Sequence, residues 1–315
     1  MNLLPIIDVG LALLVLGIAT WTIAAREVFG AVVGYVVYGL LLSLVWVRLY
    51  APDVALTEAA VGGGVTGVLL LTAGARLRSG GGKEAGEATG LPLRVVAAVL
   101  SLLVALGLAA VVLFLPEPPA TLAPEARAGL AATGLGNPIT AVLISYRSFD
   151  TMLEKIVLVL ALTGVWSVAA DGAWGRAPAP IGRMAPDGAL TLLTQTLAPL
   201  GIVVGLHIFW VGADAPGGAF QGGALLAAMW MIVMMARLTE APRIDARWLR
   251  LALIAGPAVF FLAGLAGVAW GDGFFSYPPG FAKPIILFIE AFMLLTIAVT
   301  LPMLVAGPPS KGAGR

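Results

Sequence analysis

Nine stretches of about twenty residues, each nearly free of charge, run through this chain, and that is the length an α-helix needs to cross the hydrocarbon core of a bilayer. They cover residues 5–25, 28–47, 54–74, 95–115, 152–170, 190–211, 217–236, 248–270 and 284–306. In lipid every backbone N–H and C=O must find a partner within its own element, so runs of this length read as helices. The first run has no basic residue before it and carries Asp8, which predicts a retained helix rather than a cleaved signal. Composition agrees. The 315 residues are 60% hydrophobic and 11% charged, against about 45–50% and about 25% in soluble domains. The expected fold is an all-α integral membrane protein of about nine transmembrane helices.

The charges that remain predict an orientation. Arg26, Arg76, Arg78, Lys83, Arg94, Arg176, Arg183, Arg237, Arg243, Arg247, Arg250, Lys311 and Arg315 fall on one side of the alternating connections. The other side holds only Arg48, Arg127, Arg147, Lys155 and Lys283. The positive-inside rule then puts the N-terminus outside and the C-terminus in the cytoplasm.

Composition also excludes several functions. A net charge of +1 without a basic cluster offers nothing to nucleic acid. With no cysteine the chain has no disulfide and no thiolate-bound metal cluster, and a single histidine leaves no evident metal site. No catalytic constellation and no cofactor-binding motif is present. The run Gly62-Gly63-Gly64-Val65-Thr66-Gly67 lacks the Lys-Ser/Thr ending of a phosphate-binding loop and sits in a lipid-length helix.

Two cytoplasmic connections look like seams. One runs over 75–93 and contains Ser79-Gly80-Gly81-Gly82; the other, 171–189, is rich in Gly, Pro and Ala. They divide the chain into a three-span unit (1–78), a two-span unit (91–172) and a four-span unit (187–308). Between the fourth and fifth runs, the prolines of Pro116-Glu117-Pro118-Pro119 oppose a helix. Asn137 then offers an N-cap and Pro138 a first helical position. Ile139, Val142, Leu143 and Tyr146 follow at helical spacing, which predicts a short amphipathic helix at the membrane interface.

An ionisable group inside a span costs about 2.5–3.5 kcal/mol, so each one needs a reason. Glu58 precedes Gly62, Gly63 and Gly64, whose missing side chains let a second backbone or water approach. Arg147, Asp150, Glu154 and Lys155 cluster where the fifth run begins, either as an interfacial charge network or as a proton entry point. His207 is the single imidazole, a proton relay or a hydrogen-bonded core residue. Glu290 lies two turns beyond Lys283 and close to the same face, shielded from the loop by apolar residues. These make Glu58, Asp150, Glu154, His207 and Glu290 candidate ion or proton relay groups, with Arg147, Lys155 and Lys283 as tuning or coupling residues. Gly62, Gly63, Gly64, Gly218 and Gly222 are candidate helix-packing positions; Gly63/Gly67 and Gly218/Gly222 have GxxxG spacing.

These motifs resemble a known family along nearly the whole chain. Pro52-Asp53-Val54-Ala55-Leu56-Thr57-Glu58-Ala59-Ala60-Val61-Gly62 resembles the C-terminal region of the large A-type subunit of Mrp-type multisubunit Na+/H+ antiporters, a unit that forms a separate D-type subunit in membrane-bound hydrogenases. Asn137-Pro138-Ile139-Thr140-Ala141-Val142-Leu143 and Tyr146-Arg147-Ser148-Phe149-Asp150-Thr151-Met152-Leu153-Glu154 are similar to the E-type hydrogenase subunit. The run from Gly212 to Gly223 resembles the B-type antiporter subunit, equivalent to an F-type hydrogenase unit, except that Ala213 and Asp214 stand where the family often has His and Asn.

The resemblance implies a non-catalytic subunit, formed by fusion of three small ones, in a monovalent cation (Na+)/proton antiport module of the cell (inner) membrane. Glu58, Asp150 and Glu154 match motif positions, and Glu290 lies in the span where the B-type subunit commonly has an acid. The implied partners are large antiporter-like subunits, small B- and C-type subunits, lipid, Na+ and H+. Hydrogenase-like redox subunits are the partners of an alternative host, and a purely structural scaffold is a further reading.

Overall fold

The computed structural model describes residues 4–79, 90–116, 121–181, 188–270 and 273–311. The glycines of the first seam, Gly80 to Gly82, and the residues Lys83, Pro118, Pro119, Arg183 and Arg315 lie outside these. Helices dominate the described residues, in chain order α1 (Leu4–Ala24), α2 (Val28–Arg48), α3 (Pro52–Glu58), α4 (Thr66–Ser79), α5 (Leu91–Phe114), α6 (Ala123–Thr133), α7 (Pro138–Ala141), α8 (Ser148–Ser167), α9 (Gly188–Val211), α10 (Ala219–Met235), α11 (Arg247–Trp270) and α12 (Ala282–Ala306). Two π-helical segments interrupt them, Ala59–Val65 between α3 and α4 and Val142–Tyr146 between α7 and α8.

Each of the nine predicted runs is helical, but helix length and composition carry a smaller number of crossings. Among the described residues, seven helices are long and apolar enough to cross a membrane, or eight if the α6 segment and the 138–146 segment, bent by 90°, count as one span. The two that fall short do so for different reasons. Helix α10 has only 17 residues, and α8 opens on Asp150, Glu154 and Lys155.

Helix α12 is the axis of the bundle. It packs on α8, α9, α10 and α11, and every core cluster includes its side chains, from Ile286 and Ile289 through Ile297 to Met303. Its Thr296 hydroxyl enters the backbone ladder of α11. It donates to the Ala252 carbonyl at 2.8 Å and accepts from the Gly256 N–H at 2.9 Å, next to Pro257, so a side chain stands in for one helical hydrogen bond. At the other extreme, α1 and α5 bury none of their described residues.

The connections gather into two layers. In one, the start of α3, Asn137, the loop after α9 and the start of α12 touch one another. In the other, Ile244 donates its N–H to the Arg176 carbonyl, Ser310 to Ala177, and Pro178 forms a β-bridge with Pro309.

The segment after Asn137 forms as two short pieces, α7 and the π-helical turn, rather than one regular helix. Asn137 does cap it, its side-chain oxygen accepting from the Ile139 N–H at 2.9 Å, with Pro138 in the first turn. Its buried face, however, is Thr140, Ala141 and Ile144, while Ile139, Leu143 and Tyr146 are exposed. In an apolar solvent large apolar side chains gain nothing by turning inward. Small and hydroxyl-bearing residues, which allow close approach and hydrogen bonding, form the packing face. Helix α6, which precedes this segment, had no periodic signal.

Candidate functional site

Residues of the three motif-bearing segments meet at one carboxylate. Asp53 follows Pro52 in the first turn of α3, where a helix N-terminus favours negative charge. It is buried, and its Oδ1 accepts from the Gly217 N–H at 3.0 Å and the Asn137 side-chain amide at 3.3 Å. That same amide donates to the Gly212 and Ala215 carbonyls, and the Gln221 amide donates to the Asp53 carbonyl and to the Thr57 hydroxyl. Gly217 and Gly218 have φ of 151° and 128°, a region that side-chain-bearing residues rarely adopt, so this entry into α10 requires glycine.

Beside this junction lies a cavity of about 190 Å³, and all three units line it. Thr57 comes from the end of α3, Thr140 from α7, Thr151 and Lys155 from α8, Gln221 from α10 and Glu290 from α12. Broken helices build the walls. The π-helical turn at Val142–Tyr146 frees carbonyls, and side chains satisfy them: the Thr151 hydroxyl donates to Leu143, and Tyr277 and Ser148 donate to Ile144. Burial pushes the Tyr277 phenol up to about 12, against the opposing effect of a hydrogen bond with Ser148, so it stays a donor.

Two charged groups face this cavity from the interior. Glu290 is 4% exposed; the Ala219 N–H donates to its carboxylate, yet Oε2 is buried without a partner. Lys155 is 2% exposed, with Nζ 2.6 Å from the Glu154 carboxylate and 5.0 Å from the centre of the Phe220 ring. Glu154 is over half exposed and forms the rim.

The other predicted residues are not gathered there. Arg147 and Asp150 form an exposed ion pair with each other. His207 lies on an exposed face of α9. Lys283 pairs with Asp214 at 2.6 Å and thereby ties the loop after α9 to α12; its hydrogen bonds hold the Asp214 carboxyl below the usual carboxylate range. This gives the Asp at position 214 a charge partner.

Glu58 is half-buried and folds back over Gly62, where a Cβ would collide with its Oε1. A Cβ on Gly39 of α2 would come within 2.8 Å of the Gly62–Gly63 peptide, and one on Gly63 within 3.0 Å of Leu40, so the two helices cross here. Gly64 meets only its own helix. Gly222 lies at the crossing with Gly205 of α9, whereas Gly218 faces the side chains of Gln221 and of Glu290 on α12 rather than another helix backbone.

Sequence reasoning missed Asp53, Thr57, Thr140 and Gln221 as site residues, and used Asn137 only as a cap. Periodicity carries no information about partners some 84 or 164 residues away. The available signal was Asp53 following Pro52 in a span otherwise poor in charge.

Comparison with known proteins adds two family matches. Residues 13–79 match the family model MbhD, which describes the D-type subunit of MBH, and residues 189–307 match the domain related to the MnhB subunit of Na+/H+ antiporters. An uncharacterized protein of Methanocaldococcus jannaschii, MJ1307, is 31% identical over 150 residues, which is 43% of this chain and 57% of that protein. The fold is similar to a chain of the Mrp complex from Dietzia sp. DQ12-45-1b, with a TM-score of 0.74 and 22% identity over 97% of this chain and 35% of that one. It is also similar to a chain of the membrane-bound sulfane sulfur reductase, an archaeal respiratory membrane complex, with a TM-score of 0.54 and 24% identity over 68% of this chain and 97% of that one. The chain thus spans little more than half of the curated relative and about a third of the Mrp chain. It joins a segment that matches the MbhD model to one that matches the MnhB-related domain, in a fold similar to that of an Mrp-complex chain.

Proposed function

We propose that this chain is a non-catalytic membrane subunit of a monovalent cation/proton antiporter module in the cell membrane, that Na+ is the cation, and that the chain contributes both to ion translocation and to contact with large antiporter-like and small partner subunits. The observation that carries the reading is Glu290: a buried carboxylate oxygen without a partner, in the MnhB-related part, facing a cavity that the three motif-bearing regions line together. Intramembrane carboxylates at broken helices are where transporters handle ions. The three-unit division at 1–78, 91–172 and 187–308 is supported by the family matches, which stop at residue 79 and resume at 189.

Nine crossings, with the N-terminus outside, are part of this proposal. The two loop layers support it, because connections assigned to the same side by alternating charge touch one another. Glu58, Asp150, Glu154 and His207 remain proposed relay or entry groups, with Arg147 and Lys283 at the outer surface.

Membrane vesicles carrying the assembled complex test the reading. Glu290→Gln and Glu58→Gln are each expected to cut Na+-dependent proton flux at least tenfold while assembly is retained. Normal assembly with unchanged flux in both variants overturns the relay role. The MbhD match favours a second reading, a redox-driven host complex, and hydrogenase-like genes beside this one would decide for it.

A further inference from the structure

We propose that the cavity beside Glu290 is a binding site for one partly dehydrated alkali cation, and that Lys155 is a tethered ammonium that competes for it. The proposal deepens the antiporter reading above and rests on it for the identity of the ion.

The charge arithmetic comes first. Lys155 is already paired with Glu154 at 2.6 Å, and that leaves Glu290 in the interior without an ion-pair partner. A buried carboxyl is neutralised either by a proton or by a cation, so one site of this kind can exchange the two. The structure offers it one backbone N–H and leaves Oε2 unpaired. One carboxylate matches one positive charge. Divalent ions gather several carboxylates, and among the described residues no three His, Cys, Asp or Glu side chains come together.

The remaining wall supplies oxygen lone pairs. A hydroxyl has one proton to give, and each threonine here has given it to the backbone: Thr57 to the Asp53 carbonyl, Thr140 to Gly212 and Thr151 to Leu143. The amide nitrogen of Gln221 is spent on Asp53 and Thr57, so its Oε1 is left, next to Gly218 and the Glu290 carboxylate. The oxygens on this wall are thus acceptors, the ligand type that a hard monovalent cation takes. Among the described residues, Lys155 is the one cationic side chain lining the cavity. Its alkyl stem is buried, its ammonium lies by the Phe220 ring, and it lines the same cavity as Glu290, the second carboxylate to which it could pair. With an ion bound, the pairs are ion–Glu290 and Lys155–Glu154; with the ion gone, Lys155 can turn to Glu290.

Equilibrium binding of ²²Na+ to the purified complex containing the full chain tests this, with competition by Li+, K+ and choline. Saturable binding that choline does not displace is expected, weakened at least tenfold by Glu290→Gln and tightened severalfold by Lys155→Gln. If Glu290→Gln does not assemble, Lys155→Gln and the wild-type competition series decide alone. Unchanged affinity in Lys155→Gln removes the competitor, and undiminished binding in an assembled Glu290→Gln removes the site. Absence of saturable binding in a complex that still performs antiport overturns this site and leaves the antiporter reading standing. Saturable, Glu290-dependent binding in a complex that performs no antiport does the reverse.

Discussion

At the scale of single residues, the polar groups of this chain are used where the backbone would otherwise go unpaired. Thr296 is the clearest instance, because one hydroxyl replaces the hydrogen bond between Gly256 and Ala252 while serving both partners. Thr140 and Thr151 do the same for Gly212 and Leu143. Thr296→Val keeps the shape and removes the hydroxyl, which leaves a donor and an acceptor in an apolar interior. A loss of about 1–3 kcal/mol is expected, read as an earlier unfolding transition in a detergent-denaturation series. Thr296→Ser keeps the hydroxyl and is expected to restore most of that loss. Equal stability of the Val and Ser variants would show that the bridge contributes nothing.

At the scale of elements, the irregular segments do the positioning. Two π-helical turns and one glycine-led helix start lie beside Thr57, Leu143 and Gln221, which line the same cavity. Glycines differ in what they permit. A Cβ at Gly222 would lie 2.6 Å from the Gly205 carbonyl, so Gly222→Ala pushes α9 and α10 apart. The cost expected is about 1–3 kcal/mol. At Gly64 the nearest atom is the carbonyl of Ala59 at 3.4 Å, and Gly64→Ala is expected to be close to neutral. Thermal melts of the two variants in detergent compare them, and equal destabilisation would contradict the crossing geometry.

For the whole molecule, the two layers of connections make topology measurable. Because the chain has no cysteine, single cysteines can be introduced without first removing others. Arg127→Cys is expected to react with a membrane-impermeant maleimide in intact cells, and Lys311→Cys only after permeabilisation. The opposite pattern would reverse the orientation, and labelling of both from outside would mean that an even number of crossings separates them. Helices α1 and α5 bury none of their described residues within the chain.

Runs of apolar residues determined that the chain is helical and membrane-embedded, because lipid leaves a backbone no alternative, and that inference is local. The same local logic found the Asn137 cap and singled out Glu290 for its isolation from the loop. It also found the apolar face of the segment at 138–146, but not that Thr140, Ala141 and Ile144 pack against the rest of the chain, because those contacts are not local. Tertiary structure alone decided that Lys155 is the buried partner of an exposed Glu154, that Arg147 and Asp150 stay outside, and that Asp53, Asn137 and Gly217 form one junction. Burial and long-range contact of this kind depend on how distant parts of the chain pack. A sequence shows that a charge is out of place in lipid, and only the packing of other helices around it says what neutralises it.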